Sequence, residues 1–169
     1  IARQRGVIVN FDREHYDPDT NFAKTGNGSL GGKARGLAFF SALLHRNREF
    51  LKPFDRFDII VPQTLILTTD AFDEFIRQNH LQDMSREDLS DEEVLAGFKE
   101  TVFPPHLHEQ LGHYLREVTY PLAIRSSSLL EDAQFKSYAG LYHTCMLAND
   151  HADFDLRLQQ LENAIRRVY

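Results

Sequence analysis

The sequence predicts an α/β (α+β) fold: a small mixed sheet flanked by helices. Three observations carry that expectation. Stretches with helical spacing alternate with short strand-like runs, no internal repeat or low-complexity tract interrupts them, and a glycine-rich element runs straight into an amphipathic segment. Val7 to Phe11 reads as a first strand. Ala34 to Leu51 reads as a helix whose apolar positions Leu37, Phe40, Leu43, Leu44 and Leu51 keep helical spacing; Lys52-Pro53 ends it, because proline disfavours helix in the residue before it. Asp58 to Val61 and Thr64 to Thr68 form a strand interrupted at Pro62. Asp70 is placed to cap a helix that turns Phe72, Phe75 and Ile76 inward.

Asp83 to Asp91 is polar and acidic and reads as an exposed segment, with Ser90 capping a short helix that runs to Glu100. Pro104-Pro105 starts another helix, carrying Leu107, Leu111, Leu115 and Val118 on one face. Leu122 to Arg125 and Leu141 to Ala148 are the strongest strand candidates. The last helix has the clearest pattern. Phe154, Leu158, Leu161, Ile165 and Val168 form a stripe, Asp153 and Asp155 stand early and Arg166-Arg167 late, which suits the helix dipole.

Composition bounds the function classes. A chain of 169 residues with 42% hydrophobic residues fits one domain with a real core. No run of 18–20 apolar residues occurs, so no membrane-spanning helix is expected. The net charge of −6, with basic residues scattered, argues against a nucleic-acid partner, whose phosphate backbone needs clustered lysines and arginines. The single cysteine, Cys145, fits a reducing compartment and, set among apolar residues, reads as a buried structural thiol. Nothing resembles a secretory leader, and the expected location is cytoplasmic.

Two polar loops carry the chemistry. In the first, Ala123-Ile124-Arg125-Ser126-Ser127-Ser128-Leu129-Leu130-Glu131-Asp132, a short apolar run delivers one arginine into three hydroxyls and an acidic pair; Ser137-Tyr138-Ala139-Gly140 follows. Arginine offers a fixed fork of donors that matches phosphate oxygens, and hydroxyls and loop N–H groups fill the remaining lone pairs. The same residues also fit a plain surface strand–turn–strand with Arg125 salt-bridged to Glu131 or Asp132. The second loop, Gly26-Asn27-Gly28-Ser29-Leu30-Gly31-Gly32-Lys33-Ala34-Arg35-Gly36, ends at a helix N-terminus. Such an end carries unpaired N–H groups and partial positive charge, and Lys33 adds a full one.

Familiar motifs fail here. Gly26-x-Gly28-x-x-Gly31 matches the dinucleotide fingerprint literally, but that motif needs a strand just before it, and Asp17 to Thr25 reads as a polar turn. The phosphate-binding pattern G-x-x-x-x-G-K-[ST] fails at Asn27 and Ala34. His108-Glu109-x-x-x-His113 has one residue too many for a helical zinc motif: five residues turn a helix about 140° past a full turn. His106, His108 and His113 therefore read as surface histidines. Ser126-Ser127-Ser128 lacks the glycine elbow of a hydrolase and reads as phosphate or backbone donors.

Three segments, in order, resemble the nucleotide-binding domain of phosphoenolpyruvate synthase and pyruvate phosphate dikinase. They are Gly31-Gly32-Lys33-Ala34-Arg35-Gly36-Leu37-Ala38; Val61-Pro62 with Thr68-Thr69 and Ala71-Phe72-x-x-Phe75; and Ala123-Ile124-Arg125-Ser126-Ser127 through Glu131-Asp132 to Ala139-Gly140. Ser128-Leu129-Leu130 departs from the family's usual small residues. The resemblance implies an ATP-grasp-type N-terminal subdomain, with 28–169 the first part of the ATP-binding domain, truncated at its C-terminus, and 1–27 an extension of unknown role. It implies that Lys33 and Arg125 contact ATP phosphates from opposite sides, that Arg125 acts in catalysis, and that Gly140 and Thr144 lie against the nucleotide. Glu131 and Asp132 match an acidic pair that would hold Arg125 in place.

The resemblance further implies ATP-dependent phosphoryl transfer to a phosphohistidine carrier domain of the same chain and on to pyruvate, through domains absent from this chain. Mg2+ would be held by carboxylates in the missing C-terminal half, so the isolated piece is expected to be inactive. Two other readings stay open. One is a nucleotide-sensing or interaction module in a regulatory fusion; the other is a related dikinase with a different acceptor, such as an antibiotic or a glucan.

Overall fold

The computed structural model describes residues 8–11, 22–47, 49, 56–57, 59, 61–85, 89–128 and 142–169. Three short strands, β1 (Val9–Asn10), β2 (Phe22–Thr25) and β3 (Thr64–Leu67), pair in parallel in the order β1-β2-β3. The polypeptide leaves β2 through the glycine loop, forms helix α1 (Gly31–Arg46), and returns to β3 beside β2. That path is a β-α-β crossover, the connection that two adjacent parallel strands require.

Alternation along the strands sorts side chains to two faces. Ala23, Leu65 and Leu67 join one core, while Phe22 and Ile66 join another with Ala34 and Ala38 of α1. The larger core gathers α2 (Thr69–Gln78), α4 (Pro105–Glu117) and α5 (Phe154–Val168) around Phe75, Leu107, Leu111, Leu115, Leu158, Leu161 and Ile165. Helices therefore cover both faces of the parallel sheet, as burial of such strands demands. Between α2 and α4 lie a 3-10 turn (Gln82–Ser85) and α3 (Asp91–Lys99). Ser90 and Glu93 exchange hydrogen bonds in a capping box at the start of α3, so the expected cap is present.

A separate antiparallel ribbon, β4 (Leu122–Arg125) with β5 (Thr144–Leu147), completes the described strands. The described residues thus form two small sheets, one parallel and one antiparallel, where the sequence had pointed to a single mixed sheet. Leu122 is buried in the large core, Ile124 and Leu147 pack half-buried against it, and Cys145 is buried; Ala123, Arg125, Thr144 and Met146 face outward. Arg157 of α5 anchors this region by donating to the carbonyls of Leu115 (2.8 Å) and Val118 (2.9 Å). These groups end α4 without helical partners, and a charged donor from the next helix satisfies them. The buried Asn149, at φ 57°, adds donations to Val118 and Tyr120 carbonyls.

Several expectations need correction. A strand, β2, does precede the glycine loop. It escaped notice because only Phe22 and Ala23 are apolar, and burial comes from neighbours on both sides rather than from pattern. Helix α1 turns its small residues inward: Gly31, Ala34, Ala38 and Ser41 are buried, while Leu37, Phe40 and Leu43 are exposed. Small side chains let the helix axis sit close to the sheet, which is a packing preference that periodicity of large residues does not reveal. α1 also ends at Arg46, where Asn47 donates backbone and side-chain N–H to the Leu43 carbonyl; the expected continuation to Leu51 falls largely outside the described residues.

Asp70 is not the cap of α2. That position belongs to Thr68, and Asp70 lies in the first turn. Arg166 does more than complement a helix end: it donates to Thr101 Oγ1 and carbonyl and lies over the Phe103 ring, 4.8 Å from its centroid. Cys145 is buried, as its apolar setting suggested.

Candidate functional site

The glycine loop is held at two points by two different chemistries. On its first half, Asn27 N–H donates to Asp70 Oδ2 at 2.7 Å, and Ser29 and Thr69 exchange bonds: Ser29 N–H to Thr69 Oγ1 (2.9 Å) and Thr69 N–H to the Ser29 carbonyl (3.1 Å). The Thr68 hydroxyl sits between the Thr25 carbonyl and Asp70 Oδ1. Donation from Thr68 is the main reason the Asp70 carboxyl is lowered from 3.8 to about 2; partial burial opposes it, and N–H groups of Asn27, Gly28 and Ala71 add to it.

Glycine is required at this point for lack of room. A Cβ on Gly26 or Gly28 would lie within 2.5–2.8 Å of Thr68, Thr69 or Asp70 atoms. These contacts also dispose of the dinucleotide fingerprint on firmer ground than the missing strand, since β2 is present. The N–H groups that would cradle a pyrophosphate are already bound to the protein's own carboxylate and hydroxyl.

On its second half the loop meets the arginine loop. Gly32 N–H donates to the Ser127 carbonyl at 2.9 Å. Ser127 Oγ accepts from Ala34 N–H at 2.9 Å and donates to the Leu30 carbonyl at 2.9 Å. In an α-helix those last two groups, four residues apart, would bond to each other, so the hydroxyl bridges the first turn of α1. Gly31, at φ +76°, approaches so closely that its Cβ would stand 1.5 Å from the Ser127 carbonyl oxygen.

This junction decides where the predicted site residues stand. Lys33 lies between Gly32 and Ala34, both bonded to Ser127, and is half-buried. Arg125 is exposed at the end of β4, two residues before Ser127, a span of about 7 Å at most. Thr144 pairs with Arg125 across the ribbon, so the two side chains share its outward face. Gly140, Glu131, Asp132 and Ala139 lie outside the described residues.

One part of the electrostatic expectation changes. The N-terminus of α1 does not present a row of open N–H groups: Gly31 N–H points to Ser29 Oγ at 3.4 Å, and Gly32 and Ala34 go to Ser127. These three N–H groups are therefore bound to the protein itself. The histidines have separate neighbours: His106 meets Glu74 at 3.5 Å, His108 meets Glu162 at 2.6 Å and His113 meets Arg116 at 3.3 Å.

Sequence reasoning missed the roles of Asp70 and Ser127. Asp70 was legible only as a helix-start residue, since its loop partners are more than forty positions away. Ser127 stood among three like serines, and its contacts with the glycine loop, which no sequence pattern displays, single it out.

Comparison with known proteins identifies the family. Residues 27–169 match the family model described as pyruvate phosphate dikinase, AMP/ATP-binding domain. The chain is also 31% identical over 103 residues to the uncharacterized phosphotransferase YvkC of Bacillus subtilis (strain 168), a match that covers 59% of this chain and 12% of that protein. The alignment thus spans about an eighth of the relative's length. No solved structure matches significantly. Because the matched span takes in all but the first 26 residues, the chain belongs to the pyruvate phosphate dikinase AMP/ATP-binding domain family.

Proposed function

We propose that residues 28–169 are the first part of an ATP-grasp-type nucleotide domain, in which Lys33 and Arg125 grip the ATP triphosphate from two sides. The observation that carries this reading is the bonding of Gly32 and Ala34, on either side of Lys33, to Ser127, two residues from Arg125. Two cations from distant parts of the chain are thereby tied to one junction. Phosphoryl transfer is largely positioning and charge stabilisation, so opposed cations on a polyanion are apt chemistry. Thr144, across from Arg125 on the outward face, supplies a hydroxyl to the same ligand; Gly140, outside the described residues, is assigned to the nucleotide by the family resemblance alone.

In the full-length protein the phosphoryl group passes to a histidine carrier and then to pyruvate; a cytoplasmic location accords with that role. The relative's name specifies phosphotransfer and no acceptor, so a dikinase with another acceptor is the competing form of the same reading. Among the described residues no group of three His, Cys, Asp or Glu side chains is placed to hold a metal ion, and Asp70 is committed to the glycine loop. The magnesium that the resemblance implies has no ligand set among the described residues.

The test is ATP titration and turnover of the full-length protein. Losing a charge-assisted hydrogen bond costs about 1.5–3 kcal/mol, so Lys33→Ala should weaken ATP binding by one to two orders of magnitude. Arg125→Ala should abolish phosphoryl transfer with thermal unfolding unchanged, because its side chain is exposed. Wild-type turnover in Arg125→Ala refutes the assignment.

A further inference from the structure

We infer that Ser127 is a positioning residue for Lys33, and not one of the serines that touch the nucleotide. The inference rests on the nucleotide reading above and deepens it. The hydroxyl of Ser127 has one proton, and the Leu30 carbonyl receives it at 2.9 Å; its oxygen accepts Ala34 N–H at 2.9 Å. Both bonds engage the backbone of α1, and the main-chain carbonyl of the same residue takes Gly32 N–H. Ser127 therefore holds the residues on each side of Lys33 and the carbonyl that starts the helix.

The backbone of the glycine loop is shaped to receive this contact. Gly31 sits at φ +76°, in the left-handed region that glycine adopts at little cost, and no larger residue could approach the Ser127 carbonyl so closely. A hydroxyl occupied in this way has its proton spent on the protein. It fixes the register of the Lys33 backbone against the strand that carries Arg125. The ammonium of a lysine is a point charge on a long stem, so its effect on a phosphate depends on where the backbone sets that stem. Losing Ser127 Oγ should release the first turn of α1 and let Lys33 drift relative to Arg125.

The experiment is a double-mutant cycle on the full-length protein, reading ATP affinity by calorimetry alongside thermal unfolding. Ser127→Ala should weaken ATP binding about tenfold in the wild-type background and less than about twofold when Lys33 is already alanine, because both changes remove the same positioned charge. Ser127→Thr, which keeps the hydroxyl, should restore most of the affinity. Ser127→Cys keeps the size but offers a weak donor and acceptor, so it serves if Ser127→Ala does not fold, with the same loss and the same coupling expected.

Three outcomes overturn the inference. Equal losses from the Ser127 change in both backgrounds would mean that it binds the nucleotide independently of Lys33. No loss in a folded Ser127→Ala or Ser127→Cys protein would mean that the bridge does not set the lysine. Unchanged affinity in Lys33→Ala would remove the nucleotide reading and this inference together, a result distinct from the first two.

Discussion

The two halves of the glycine loop are anchored by unlike means, and the contrast separates scaffold from site. The Gly26–Gly28 half is closed by a carboxylate and two threonine side chains at the start of α2. Charge is consumed there: Asp70 binds backbone N–H groups and keeps its proton off down to about pH 2. The Gly31–Gly32 half is closed by a neutral hydroxyl and a carbonyl from Ser127. Neutral bonds at that point bring no carboxylate to the end of the loop that carries Lys33 and Arg35. Under the nucleotide reading proposed above, a carboxylate confined to the end away from the lysine would not oppose an anion there.

The contrast is broken most severely at Gly31. Substituting alanine drives a Cβ to 1.5 Å from the Ser127 carbonyl at a backbone angle that alanine resists. The expected loss exceeds about 4 kcal/mol and should appear as failure to fold or as a large drop in melting temperature. An ordinary melting curve for Gly31→Ala would show that the two loops do not meet as described.

Asp70→Ala is expected to act more mildly, because the carboxylate is partly exposed. Loss of charge-assisted bonds to the loop should cost about 1–2 kcal/mol after discounting for solvent screening, measured by chemical denaturation. The pH dependence sharpens this. A carboxyl lowered from 3.8 to about 2 on folding contributes stability above its unfolded value, and that contribution is lost as pH falls from about 4 through 2. In Asp70→Ala the acid limb of the stability profile should flatten across that window. If the variant and the parent keep identical acid limbs, the carboxylate does not hold the loop.

The smallest effect is expected at Gly36, which lies in the same glycine-rich segment but on the exposed side of α1. A Cβ there meets nothing within 4 Å, so Gly36→Ala should stabilise the protein by about 0.5–1 kcal/mol through helix propensity. The sign reversal between Gly31 and Gly36, five positions apart in one helix, measures what close contact with Ser127 demands.

How much was legible beforehand follows from the range of the interactions concerned. Helices α3, α4 and α5 were readable because their signals are local: Ser90 with Glu93, Pro105 at a helix start, and a stripe from Phe154 to Ile165. β4 and β5 were readable as apolar runs. β2 and the inward face of α1 were not, because small residues gain their burial from close approach between elements, which leaves no strong periodic trace. Lys33, Arg125 and Thr144 were readable as candidates through resemblance to a family. Their relation to one another was not, since the residue linking the two loops lies 93 positions from its helical partner.

The sequence by itself determined the alternation of helices and strands, the identities of the two cations and their membership of glycine-rich and serine-rich loops. Those properties reside in neighbours a few positions apart, where backbone preference and side-chain periodicity act directly. Tertiary structure alone decided which partners take up the N–H groups of the glycine loop, which serine is bound to the helix, and which face of α1 is buried. Each of these depends on a hydrogen-bond partner or packing surface supplied from elsewhere in the chain, and desolvation favours those partners only once the elements have come together.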